Sequence, residues 1–148
     1  MNSNTTAIQS DIANHISSNY PIQWSMSRAE QATLIQVLKN IKPKVAIEIG
    51  TYNGGSLQVI SAFSEKVYAV DLTPSYRDKR CDNLLNVDYL IGDSKHIIPA
   101  LVSKLNNNNE VVEFILIDGD HSALGVLEDT TPATAEIFNT TRADVFLQ

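Results

Sequence analysis

Two carboxylates and an imidazole stand together in Asp118-Gly119-Asp120-His121, directly after the apolar run Val111 to Ile117. Such a set at a strand end can ligate a divalent metal or move a proton. The same residues also suit structural duties, with Asp118 lining a pocket, Asp120 capping a helix and His121 bonding to backbone. Spacing alone leaves these readings open. Asp118 and His121 are the candidate catalytic residues, and Asp118 is the candidate metal ligand.

A second constellation lies upstream, where Val45-Ala46-Ile47-Glu48-Ile49 runs into Gly50-Thr51-Tyr52-Asn53-Gly54-Gly55-Ser56. The β-branched residues suit a buried strand, and the glycines let the backbone turn tightly and approach a ligand. In a dinucleotide fingerprint the position of Glu48 is a glycine, and the loop delivers helix N–H groups to a pyrophosphate. A carboxylate there repels phosphate. It suits a ligand with a cation and no phosphate, and S-adenosylmethionine, with its sulfonium and amino group, is such a ligand. Glu48, Gly50 and Gly54 are therefore candidate cofactor-binding residues.

Four strand ends close in turn on Glu48, Asp71, Asp93 and Asp118. In an open parallel sheet such ends share one edge, where ligands bind at the point of reversed strand order. Asp71 follows Gly50 by 21 positions, near the ~20-residue spacing at which an acid reaches ribose hydroxyls; a solvated loop carboxylate is the plainer reading. Asp93-Ser94 fits both an adenine contact and a helix cap. His15 and His96 read as surface residues. Trp24, beside Tyr20 and Pro21, reads as a packing anchor or, more sharply, as part of a lid over the pocket.

The elements that must position these groups alternate. Ile8, Ile12 and Ile16 give one stripe on a helix from about Ala7 to Ser17, and Ser27 with Glu30 predicts a capping box ahead of a helix ended by Lys42-Pro43. Strands are expected at about 44–49, 67–70, 87–91 and 111–117, with helices from about Gly55 to Phe63 and through Ile97 to Leu105, and a short helix after Pro74. This alternation is the signature of an α/β fold, a Rossmann-like parallel sheet flanked by helices. About four strands are expected, with Val145-Phe146-Leu147 as the start of a fifth, and Ala133 to Phe138 fits a helical turn or two. The chain divides into N-terminal helices (1–42), a cofactor-binding core (43–129) and an atypical C-terminal segment (130–148).

With 148 residues, 43% hydrophobic and 19% charged, the sequence describes one ordinary globular domain. Its net charge of −6 argues against nucleic acid as a partner. Cys81 is the only cysteine, which excludes an intrachain disulfide and fits a reducing cytoplasm. No apolar run approaches the ~18 residues of a membrane span, and the N-terminus has no signal-peptide pattern.

With these motifs in hand, the chain resembles the class I S-adenosylmethionine-dependent methyltransferases, closest to a small-molecule O-methyltransferase-like group with an Ile-Asp-Gly-Asp-His-Ser signature. The resemblance rests on Glu48 to Ser56, Val70-Asp71, Ile91-Gly92-Asp93-Ser94 and Phe114 to Ser122, and runs from about Pro43 to Asp129. It implies that Glu48, Gly50 and Gly54 border the methionine and sulfonium end of the cofactor, that Asp71 takes the ribose hydroxyls, and that Asp93 and Ser94 flank the adenine. Asp118 would line the methyl-transfer site and, in metal-dependent relatives, bind a divalent cation such as magnesium. An acceptor oxygen, or less readily a nitrogen, would attack the sulfonium methyl in line, with catalysis resting mainly on alignment.

Departures from the pattern matter as well. Tyr52 stands where many relatives have glycine, and Ala123-Leu124 replace an aromatic and an acid. The family fold has seven strands in an order beginning 3-2-1-4-5, so a truncated member is expected, without the later metal ligands and with the edge of strand four unpaired and apolar. Such a chain would bind cofactor weakly or form a homodimer through that edge. The rival readings are a noncatalytic binding or interaction module and an NAD-binding dehydrogenase domain; Glu48 argues against the latter.

Overall fold

The structure is a computed structural model that describes residue 11, residues 14–118 and the backbone of residues 144–147. Within these bounds, helical residues 14–19 lead through an irregular strap to α1 (Arg28–Ile41), followed by β1 (Val45–Ile49), α2 (Gly55–Phe63), β2 (Lys66–Asp71), a 3-10 turn (Lys79–Asn83), β3 (Val87–Ile91), α3 (Ser94–Asn107), β4 (Val112–Ile117) and β5 (Asp144–Leu147). The expected helix over Ala133 to Phe138, and Asp120 and His121, lie outside the described residues.

Local chemistry sets the element bounds. Ser27 caps α1, accepting from the Glu30 N–H, while the Glu30 carboxylate accepts from Ser27 N at 2.7 Å, so the capping box forms in both directions. The helix ends where Lys42 turns left-handed (φ 48°) before Pro43. β1 and β2 are buried along most of their length, as strands covered on both faces must be, and their residues alternate between two apolar layers. Ile47, Tyr68, Val70 and Ile115 pack with Ile98, Leu101 and Leu105 of α3 on one face. Ala46, Val67, Phe114 and Leu116 pack with Leu34 and Leu38 of α1 and Leu57 and Ile60 of α2 on the other.

All neighbouring strands are parallel and the sheet order is β3-β2-β1-β4-β5. The expectation of an unpaired β4 edge is corrected by this sheet. Phe114 to Ile117 pair in register with Asp144 to Leu147, so the outward backbone groups of β4 enter a ladder. Only three apolar residues announced that strand in the sequence.

The order reverses between β1 and β4, the crevice where ligands bind in open α/β sheets. Three strand ends are tied there by ladder bonds that continue one residue past the strands: Gly50 N donates to Val70 O (2.9 Å), Gly92 N to Asp71 O (2.8 Å) and Asp118 N to Ile49 O (3.0 Å). The acids named from the sequence are thereby held along one edge.

Candidate functional site

A cleft of about 310 Å³ opens at this reversal point. Its floor is the β1–α2 turn, one wall is Asp118, and the other is the strap, notably Trp24 and Met26. No lysine, arginine or histidine is among the described residues that line it.

The turn has the conformation that its glycines allow. Gly50 and Gly54 have φ of 90° and 91°. A Cβ on Gly54 would lie 2.3 Å from Cys81 Sγ, and one on Gly55 would lie 2.4 Å from Gln23 O and 2.6 Å from Trp24 Cα. The missing side chain of Gly55 is thus what lets the strap lie on the start of α2. Tyr52 also has a positive φ (46°), a backbone conformation that glycine adopts more readily. Its exposed ring packs against Tyr76 with centroids 5.2 Å apart.

Glu48 lies beneath the turn with no solvent exposure. Its Oε1 accepts from the Ser56 hydroxyl. Glu48 Oε2 and the neighbouring Thr51 Oγ1 are buried and make no hydrogen bond of standard geometry. Burial pushes the Glu48 carboxyl up to about 8; the Ser56 and Thr51 hydroxyls act the other way, and the Asp118 and Asp71 charges add to the rise. Asp118 is also raised above the ordinary carboxylate range, first by desolvation and then by the charge of Glu30. One acid lining the cleft and a second buried beneath its floor favour a cationic occupant.

Asp71 is placed differently. Its Oδ2 accepts from Tyr52 N at 2.7 Å and its Oδ1 from Thr73 N at 3.3 Å, so it holds the β1 turn as well as facing solvent. It lines a shallow depression beside the main cleft with Tyr52, Pro74, Arg77, Tyr89 and Ile91. Exposed Tyr52, Leu72, Tyr76 and Ile91 make the surroundings apolar. The Arg77 guanidinium is stacked 3.9 Å from the centre of the Tyr89 ring.

Asp93 and Ser94 line neither opening. Asp93 caps α3 by accepting from Lys95 N (2.9 Å), and Ser94 is the first helical residue. The capping half of the dual expectation is what the geometry displays. His96 and His15 are exposed, the former 4.0 Å from Asp93 and the latter bonded to Asn19. Among the described residues no group of three or more potential ligands, with or without Asp118, could hold a metal ion. Cys81 is buried, and desolvation pushes its thiol up to about 11, which disfavours the nucleophilic thiolate.

The strap's role was only hinted at by Trp24. It is anchored by one side chain of α2: Gln58 Oε1 accepts from Ile22 N (3.0 Å), and Gln58 Nε2 donates to Ile22 O (2.8 Å) and Gly55 O (2.9 Å). Gln31 Nε2 holds the other end through Met26 O at 2.8 Å. Replacing Gln58 with Leu leaves two buried backbone groups unpaired and is expected to cost about 2–3 kcal/mol. The emission of Trp24 should shift to the red as the strap loosens. Urea melts followed by that fluorescence check both effects, and an unshifted native spectrum would show that the strap is held without Gln58.

Neither a protein-family profile nor a curated protein sequence matches the chain. Solved structures do. The chain is similar to precorrin 8w decarboxylase of Methanobacterium thermoautotrophicum (TM-score 0.58, 19% identity, 86% of this chain and 65% of that one). It is also similar to the SAH-bound methyltransferase of Podospora anserina (TM-score 0.55, 13% identity, 88% and 66%) and to the O-methyltransferase of Bacillus cereus in complex with SAH (TM-score 0.52, 19% identity, 92% and 62%). The chain shares the Rossmann-like α/β fold of these proteins. The chain spans just under two thirds of the length of these structures, 62–66% of each. The strand order and the ladder bonds put the Gly50 turn and Asp118 on the two sides of the reversal point. Among the described residues no helix is long and apolar enough to cross a membrane.

Proposed function

We propose that the chain binds S-adenosylmethionine across the Gly50 to Gly54 turn and transfers its methyl group to an oxygen, or a nitrogen, of a small-molecule acceptor. One observation carries this reading: a buried glutamate with an unpartnered oxygen lies under a glycine turn, beside a cleft whose described lining holds a carboxylate and no cation. A sulfonium with an ammonium group would favour ionisation of both raised acids, whereas a pyrophosphate would find no cation in the described lining to balance it. This disfavours the dehydrogenase alternative. Two of the similar structures hold SAH, which supports this reading.

When bound, S-adenosylmethionine supplies an electrophilic methyl group on sulfur. Gly50 and Gly54 give its methionine end room, and Glu48 Oε2 with Thr51 Oγ1 offers acceptors to the ammonium group. Asp71 has lone pairs left for the ribose hydroxyls after serving the Tyr52 and Thr73 N–H groups. Exposed Tyr52, Leu72 and Ile91 suit a flat base, which Asp93 and Ser94 would flank. Asp118, with its raised pKa, orients the acceptor hydroxyl and takes up its proton as the oxygen is methylated. His121 is the second proton acceptor in this reading. Alignment of acceptor and methyl carbon supplies most of the rate. No step passes through a metal.

Calorimetric titration with S-adenosylmethionine, SAH and NAD tests the reading. The first two should bind and NAD should not, and Asp71→Ala should weaken binding at least about tenfold, through both the lost ribose contact and the released Tyr52 N–H. A folded chain that binds none of the three would sink the enzyme reading. A noncatalytic module pairing through the outer edge of the sheet would then lead.

A further inference from the structure

A second cavity of about 410 Å³ lies on the other side of the strap. Gln23, Trp24 and Met26 line both it and the main cleft, so the two spaces share one wall. Its far side carries Arg28. The guanidinium is held by two neutral groups, Ser17 Oγ (2.8 Å) and Gln31 Oε1 (2.9 Å), and no carboxylate pairs with it among the described residues. Arg28 is also the first residue of α1, where the helix dipole disfavours a cation. A guanidinium so placed, with its geometry fixed by neutral side chains, is suited to an anion from outside. The same cavity is lined by the half-buried rings of Tyr20 and Trp24, edge to face with centroids 6.2 Å apart.

We infer that this cavity is the acceptor's binding pocket and that the acceptor is a small aromatic acid, its carboxylate held by Arg28 and its ring laid against Tyr20 and Trp24. The inference rests on the methyltransferase reading for the word acceptor, but the binding itself does not depend on it. The volume accommodates a benzoate-sized molecule, and a hydroxyl at its far end would lie against Gln23, Trp24 and Met26, the residues that also border the Asp118 cleft. Arg28 offsets the negative charge that an acid would otherwise bring to an acid-rich site.

Trp24 is the only tryptophan in the chain and lines both spaces, so the comparison of acid with ester and with Arg28→Gln, not quenching by itself, assigns the signal to the Arg28 side. The probes are 4-hydroxybenzoate and its neutral methyl ester, titrated into the whole chain and into Arg28→Gln. Saturable quenching by the acid is expected, at least about tenfold weaker for the ester and for the variant, with SAH affinity unchanged in the variant. Equal affinity for acid and ester in the unaltered chain would overturn the inference, and so would the absence of saturable quenching by the acid; both readouts stand even if Arg28→Gln fails to fold. Failure of the cofactor reading shows separately, as loss of SAH binding in the unaltered chain while the acid still quenches.

Discussion

Glu48→Gln is expected to flatten the pH dependence of stability between pH 4.5 and about 8, the interval between the ordinary carboxylate value and the raised one. The sign follows from proton counting. In that interval the folded chain keeps a proton on Glu48 that the unfolded chain has released, so stability is full below the lower value and falls as pH rises through the upper one. One proton corresponds to a slope of about 1.4 kcal/mol per pH unit, and several kcal/mol across the window is the ceiling. Glutamine has no proton to keep. Its amide oxygen can still accept from Ser56, so little else changes at the low end. Asp118, also raised, contributes a slope of the same sign that survives in the variant. Urea melts of both proteins at unit steps of pH measure the difference. Parallel curves would show that Glu48 is ionised in the fold, and that the acid under the turn is hydrated instead of buried.

The sheet was readable in the sequence because its strands are covered on both faces. A parallel strand with two apolar neighbours reads as a β-branched run, and Val45 to Ile49 and Val112 to Ile117 are such runs. The expected bounds of α2 and β3, Gly55–Phe63 and Val87–Ile91, are the observed ones. β5 was harder: three apolar residues carry no period, and only its pairing with β4 makes it a strand. The strap was readable as a wall of the cleft only through the lid reading of Trp24. Its hold on Gln58 joins residues 36 positions apart, a contact that no local pattern encodes.

The candidate site divides along the same line. Glu48, Gly50 and Asp118 could be named from type and place because strand order forces their ends together. What each carboxylate already binds could not. Asp71 takes two backbone N–H groups and Asp93 one, and those partners follow from loop geometry. Thr51 was missed for a related reason. A threonine after a glycine is unremarkable until its hydroxyl is found buried and unpaired beside Glu48. The signal that might have flagged it was its position, directly between the acid and the first free turn of chain.

Gly54→Ala is expected to cost about 3 kcal/mol, and Cys81→Ala to recover part of that loss in the double variant. Two terms add up at Gly54. Its φ of 91° strains any residue with a Cβ by about 1–2 kcal/mol, and the new Cβ would lie 2.3 Å from Cys81 Sγ, an overlap worth about 1–3 kcal/mol. Removing the sulfur abolishes the second term, since the remaining Cys81 Cβ lies at 4.0 Å, an ordinary contact. Cys81→Ala alone should cost about 1 kcal/mol for lost packing. The pair is therefore expected to be non-additive by about 1–2 kcal/mol in the stabilising direction, measured by urea denaturation of the four proteins of the cycle. Strict additivity would mean that the 3-10 turn carrying Cys81 gives way freely, so that the β1 turn is shaped by backbone preference alone. Coupling of the expected size would mean that the turn beneath the ligand is braced from below by Cys81. Cofactor affinity should then fall with Gly54→Ala and return in part with the second change.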